Sequence, residues 1–191
     1  MPTDFSALHA AHVAALLGRF APVLERFNLD SLVVHSGVLQ KKTAYDDQFW
    51  PLRLNPHFQH WLPLDEAGAL LVLRPGKTPA LWRSTARDYW EAPARTCPSI
   101  FGPFEVHSVP GPIPLKAIVS AHERGLFLGE DDAIAAALGV PRADADAEFL
   151  SAVDELRVRK TPYEVRCLAD ANARAWLGHV AVREQFSSGD F

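Results

Sequence analysis

The sequence predicts an α/β fold: a mixed sheet flanked by helices. Three features lead there. A broad apolar stripe at helical spacing over residues 5–27 gives way, through Asn28-Leu29-Asp30, to Ser31-Leu32-Val33-Val34-His35, a short run suited to a buried strand. Further short apolar runs at residues 69–73, 80–83, 104–109 and 125–129 are set off by Gly- and Pro-bearing turns. Helical patterns interrupt and follow them, as layered α/β chains require.

In chain order, Leu8, Ala11, Ala15, Leu16, Phe20, Val23, Leu24 and Phe27 form the first stripe. Pro22 lies inside it and removes one ladder hydrogen bond, which predicts a kink or two abutting helices. The strand at 31–35 ends at Ser36-Gly37. Residues 41–56 mix charge, aromatics and prolines without a period and read as a long structured loop, a common carrier of function. Strands are expected at 61–64, at 69–73 and, across the Pro75-Gly76 turn, at 80–83 as a hairpin partner. Residues 88–103 read as loop with one helical turn, 104–109 as a strand, 115–122 as a helix after Pro114, and 125–129 as a buried strand. Helices follow at 131–138, closed by Gly139, and at 149–156.

The basic stretch 157–160 is expected to be a boundary, with residues 1–156 forming one domain and 157–191 a linker and the first helix of another. Thr161 suits an N-cap, Pro162 the first helical position, and Glu164 completes a capping box. Val165, Leu168, Ala169, Trp176 and Val180 then recur on one face, interrupted by Asn172, and Ser187-Ser188-Gly189 is a stop signal. An amphipathic helix of that length needs cover for its stripe. The expectation is that its partner lies outside these 191 residues.

Hydrophobic content of 48% and charged content of 22% suffice for a real core, and a net charge of -4 argues against a nucleic-acid surface. No apolar run is expected to span a bilayer, and residues 1–6 lack the basic and apolar regions of a signal peptide. Cys97 and Cys167 form no metal or disulfide framework, so a reducing, cytoplasmic compartment is expected. Cys167, beside Leu168, reads as a buried thiol rather than a nucleophile.

Catalytic motifs are absent: no zinc-binding H-E-x-x-H, nucleophile elbow, Walker loop or dinucleotide fingerprint occurs. His9/His12 and His57/His60 have the i,i+3 spacing of helical metal ligands, but neither pair has a carboxylate at ligand spacing, so surface or satisfied histidines are expected. Asp46-Asp47 is an adjacent acidic pair that Lys41 and Lys42 are placed to neutralise. It is either a solvated loop or a group that holds a substrate ammonium. Trp90, in the second aromatic loop, is either a core filler or the wall of an apolar pocket.

Four segments carry a family resemblance: V-V-H-S-G at 33–37, Y-D-D-Q-F-W-P-L-R-L-N-P-H-F-Q-H-W-L-P at 45–63, R-D-Y-W at 87–90 and R-K-T-P-Y-E at 159–164. They resemble the N-terminal, creatinase-like domain of bacterial Xaa-Pro dipeptidases (prolidases), a group that includes organophosphorus acid anhydrolases. The similarity spans nearly the whole chain, most loosely at 95–150. It implies a dimeric enzyme that cleaves dipeptides with C-terminal proline. Two manganese ions would sit on two Asp, one His and two Glu of a C-terminal "pita-bread" domain that begins at K-T-P-Y-E and continues past Phe191. No metal or catalytic residue is then expected here, and the chain alone should be inactive. By the same resemblance, Asp47 and Trp90 cap the partner subunit's active site, Asp47 holding the ammonium end and Trp90 narrowing the pocket. Two other readings remain: a free-standing module that binds peptides or proteins, and an enzyme using His57, His60 and Asp47.

Overall fold

Ser31–His35 (β1) is the inner strand that positions everything else, and all five of its residues are buried. The computed structural model describes residues 4–45, 47–86, 98–120 and 122–189. Among them the sheet has five strands in the order β4-β3-β2-β1-β5, with β2 at Leu70–Leu73, β3 at Ala80–Ser84, β4 at Glu105–Val109 and β5 at Gly125–Leu128. β1 pairs antiparallel with β2 (Val33 opposite Val72) and parallel with β5 (Val33 opposite Phe127). β2 and β3 form the expected antiparallel hairpin, and β4 runs parallel to β3. The sheet is therefore mixed, as the sequence predicts.

Alternation along the strands divides the core. Leu32, Val34, Leu71, Leu73, Leu81 and Leu128 join one buried cluster with helix α1 (Phe5–Arg26) and helix α4 (Ala147–Glu155). Val33, Leu70, Val72 and Phe127 face the opposite way, against Ile118, Val119 and helix α3 (Asp132–Leu138).

Helix α1 is one continuous element, not two. Pro22 and Gly18, whose carbonyl the missing N–H would have bonded, both lie exposed on the solvent face. Water can satisfy that carbonyl there, so the helix need not end. By length and composition α1 is apolar enough to cross a bilayer, contrary to the expectation that no such run exists. Its apolar side chains converge on one face, however, and Val13, Leu16, Phe20 and Leu24 are buried in the core, the arrangement of a core helix.

Two further expectations fail locally. Residues 61–64 are not a strand: Pro56–Trp61 forms helix α2, with Asn55 accepting from the His57 amide at 2.9 Å and Pro56 opening the first turn. Cap and proline outweigh the apolar run that follows, and Leu62 and Leu64 are buried as irregular chain. After Pro114 only a 3-10 turn forms, Leu115–Ala117. Arg74 donates to the Ile118 carbonyl at 2.6 Å, and Ile118 and Val119 turn into the core, so the helical ladder is not extended. Residues 98–101 supply the expected helical turn of the second loop.

Helix α5 (Pro162–Ser188) has the full capping box. Glu164 Oε2 accepts from the Thr161 amide at 2.8 Å, and the Glu164 amide donates to Thr161 Oγ1 at 3.4 Å. None of its residues is buried, and Trp176, Leu177, Val182 and Phe186 are 61–72% exposed. It meets α1 near its start, where Tyr163 lies edge-on to Phe5 at 5.3 Å. Cys167 is half-buried rather than buried. Because Thr161 is both cap and buried hydrogen-bond partner, Thr161→Ala is expected to cost about 1–2 kcal/mol. The midpoint of urea denaturation, compared between the two proteins, measures it.

Candidate functional site

The chain leaves β1 through a clamped base. The Ser36 amide donates to the Ala69 carbonyl, and Ser36 Oγ accepts from the Ala69 amide, both at 2.9 Å. The Asn55 amide returns to the Ser36 carbonyl at 2.8 Å, while its side-chain amide donates to the Leu128 carbonyl at 3.1 Å. Between these points Gly37 has φ 130°, and a Cβ there would lie 2.7 Å from the Arg53 carbonyl oxygen. Only glycine lets the two arms approach so closely.

Beyond the base, the segment expected to be a structured loop is hairpin-like. Lys41 and Phe49 form an antiparallel bridge, the Trp50 amide donates to Gln40 at 2.8 Å, and the Lys42 amide to Gln48 at 3.0 Å. Lys42 Nζ donates to Gln48 Oε1 at 2.9 Å and sits 5.8 Å from the centre of the Trp50 ring. Leu39, Tyr45, Phe49 and Trp50 are exposed, Tyr45 completely. The loop therefore presents aromatic surface outward instead of burying it.

Asp47 lies exposed at the tip of this loop. Lys42 does not neutralise it, being committed to Gln48 and Trp50, and among the described residues Asp47 has no ion-pair partner. Asp46 and Trp90 lie outside the described residues, so the structure does not bring Asp47 and Trp90 together or set them apart. Asn55 and Gly37, which set the loop's footing, are legible only as an N-cap signature and a turn glycine. Their partners, Leu128 and Arg53, lie too far along the chain to be read.

The four histidines at helical spacing gather elsewhere, where α1, α2 and the start of α5 meet. His9 and His12 are 2% exposed. His9 Nε2 donates to the Trp61 carbonyl at 3.0 Å and His12 Nε2 to the His60 carbonyl at 2.6 Å. Burial pushes the pKa of His9, His12, His57 and His60 down, that of His60 to about 4. Among the described residues no group of three or more His, Cys, Asp or Glu side chains could hold a metal. The buried ring nitrogens that are engaged serve carbonyls and a hydroxyl, so the manganese that the resemblance implies does not fit on the described residues. Of the third reading's residues, His57 faces Asp154 at 3.3 Å and His60 faces Glu164 at 3.5 Å, and neither forms an ion pair with Asp47 among the described residues.

A sequence model described as the Xaa-Pro dipeptidase N-terminal domain matches residues 7–153. The chain belongs to this family. Xaa-Pro dipeptidase 1 of Idiomarina loihiensis is 33% identical over 193 residues, an overlap covering 97% of this chain and 41% of that protein. The Xaa-Pro dipeptidase of Yersinia pestis is 31% identical over 189 residues, covering 96% and 42%. The chain thus spans about two fifths of the length of these relatives. Among solved structures, the aminopeptidase PepP of Pseudomonas aeruginosa aligns with a TM-score of 0.41 and 16% identity, covering 78% of this chain and 33% of that one.

Clamping at Gly37 has a direct test. Gly37→Ala must move Arg53 or strain the backbone, at a cost of roughly 1–3 kcal/mol. A lower thermal midpoint together with faster proteolysis within residues 38–54 is the expected result.

Proposed function

We propose that this chain is the substrate-capping and dimerisation domain of a cytoplasmic, manganese-dependent Xaa-Pro dipeptidase. A C-terminal domain beginning at α5 holds both metal ions. The complete enzyme is a homodimer that cleaves dipeptides ending in proline, with organophosphates as additional substrates of the same site. The chain by itself is inactive. The observation that carries this reading is Asp47: a carboxylate without an ion-pair partner among the described residues, raised on a clamped loop that turns aromatic side chains outward. A free carboxylate on a stiff projection is suited to reach into a neighbouring subunit and meet an ammonium group. The exposed stripe of α5 supports the same reading, because it suits cover by a following domain.

Catalytically, Asp47 fixes one end of the dipeptide and Trp90 limits the length the pocket accepts. Each positions the substrate without taking part in bond cleavage. In the protein carrying its C-terminal domain, Asp47→Asn is expected to lower kcat/KM on Xaa-Pro dipeptides about ten- to hundredfold, the worth of one hydrogen bond to a charged group. Trp90→Ala is expected to relax discrimination against longer peptides. Metal content should be unchanged in both variants. Unaltered kinetics in both would remove the proposal.

A further inference from the structure

We propose that His12 and His60, facing Glu164, form a proton-sensitive joint that fastens the first turn of α5 to the sheet domain at neutral pH and releases it in mildly acidic solution. Its meaning for an enzyme rests on reading α5 as the start of the following domain, but its geometry does not.

The joint ties together residues far apart in the chain. His12 Nδ1 lies 2.8 Å from Thr161 Oγ1, across 149 residues of sequence. Because the His60 carbonyl can only accept, His12 Nε2 carries the proton. In the neutral ring Nδ1 is then an acceptor, taking the Thr161 hydroxyl proton. Thr161 Oγ1 in turn accepts from the Glu164 amide, and Glu164 Oε2 accepts from the Thr161 amide. One neutral imidazole thus completes the cap of a 27-residue helix.

Adding a proton disrupts this. A protonated His12 presents a donor where the threonine proton pointed, so the Thr161 hydroxyl proton loses the ring nitrogen that accepted it, in a position 3% exposed. The charges around the joint compensate only in part. From α1 come His9, His12 and Arg19; from α2, His57 and His60; from α4 and the segment after it, Asp154, Arg157 and Arg159; from α5, Tyr163 and Glu164. Asp154 sits 3.3 Å from His57 and 3.7 Å from Arg157. Arg19 donates to the Arg159 carbonyl and disfavours a charge on His12. Arg157 does the same to His60 and His57. That leaves Glu164, 3.8 Å from His12 and 3.5 Å from His60, as the carboxylate facing both rings, whose centres are 5.5 Å apart; it favours their charged forms, but burial outweighs it.

The sign of the effect follows from burial. Once freed, each imidazole titrates near the ordinary 6.5. In the closed joint burial lowers both, His60 to about 4. Between those values the open form binds more protons. Closure is therefore at full strength above about pH 6.5 and is lost progressively as the pH falls toward 4. Opening is favoured by up to tenfold per pH unit for each imidazole that takes up a proton.

Residue-resolved amide exchange on the 191-residue chain, corrected for the intrinsic pH dependence of exchange, tests the joint. Protection of the Thr161, Glu164 and Val165 amides is expected to fall at least tenfold between pH 7 and pH 5, while the paired amides of β1 and β2 keep theirs. His60→Gln, which cannot take up the proton, should flatten that dependence. Constant protection in the first turn, a loss only in step with β1 and β2, or an unchanged slope in His60→Gln would each overturn the proposal. The wild-type profile decides alone if the variant does not fold. Because the readout needs no activity, its failure is separate from a failure of the dipeptidase reading, which shows only in kinetics.

Discussion

Everything in this structure depends on β1 being paired on both edges and covered on both faces. Its neighbours run in opposite senses, β2 antiparallel and β5 parallel. A parallel neighbour needs a long crossover, and the chain between β1 and β5 supplies it with the projecting loop, α2, the β2–β3 hairpin and β4. Burial on both faces makes β1 a continuous run of Ser31, Leu32, Val33, Val34 and His35 rather than an alternating one. The same burial leaves His35, wholly enclosed beside Phe127, with neither ring nitrogen hydrogen-bonded among the described residues. Burial pushes its pKa down, so the ring stays neutral inside the sheet.

The candidate site lies where this central ladder stops. At the C-terminal end of β1 the chain cannot continue in the sheet, and the clamp of Ser36, Gly37 and Asn55 turns it outward. The outgoing loop needs little packing of its own because its two arms are bonded to each other and its footing is bonded to Ala69, just ahead of β2, and to β5. Such a loop can hold Phe49 and Trp50 in solvent without unravelling. Ordinary surface loops avoid that exposure, which is why aromatic residues there point to a surface meant for contact.

Most of the sheet was legible because apolar period and turn residues agree. Asp131 and Gly139 bracket α3 as cap and left-handed stop, and Thr161, Pro162 and Glu164 open α5 as read. Misreadings arose where local and tertiary signals compete. The apolar Trp-Leu-Pro-Leu run looked like a strand, but Asn55-Pro56 started a helix one turn earlier. After Leu115 the helical pattern gave way to a side chain, Arg74, more than forty residues away. Of the candidate site, Asp47 stood out for its aperiodic surroundings, but the role proposed for it came from the family resemblance. Lys42 bonds within its own hairpin rather than to Asp47, while Asp46 lies outside the described residues. The histidine spacing suggested surface or satisfied histidines rather than ligands, and His9 and His12 are buried against carbonyls. No periodicity could have revealed that His12 closes a helix cap 149 residues later.

With no buried residue of its own, α5 behaves mechanically as a rod fixed near one end. Its 27 residues extend about 40 Å at 1.5 Å per residue. A tilt of only about 1° where it is fixed moves the far end by roughly 0.7 Å over that length. That displacement already exceeds the roughly 0.5 Å to which catalytic groups must be held. The distal end of this rod takes its aim from the hydrogen bonds around Thr161 and the ring contacts of Tyr163 with α1, so small changes there become large changes in alignment.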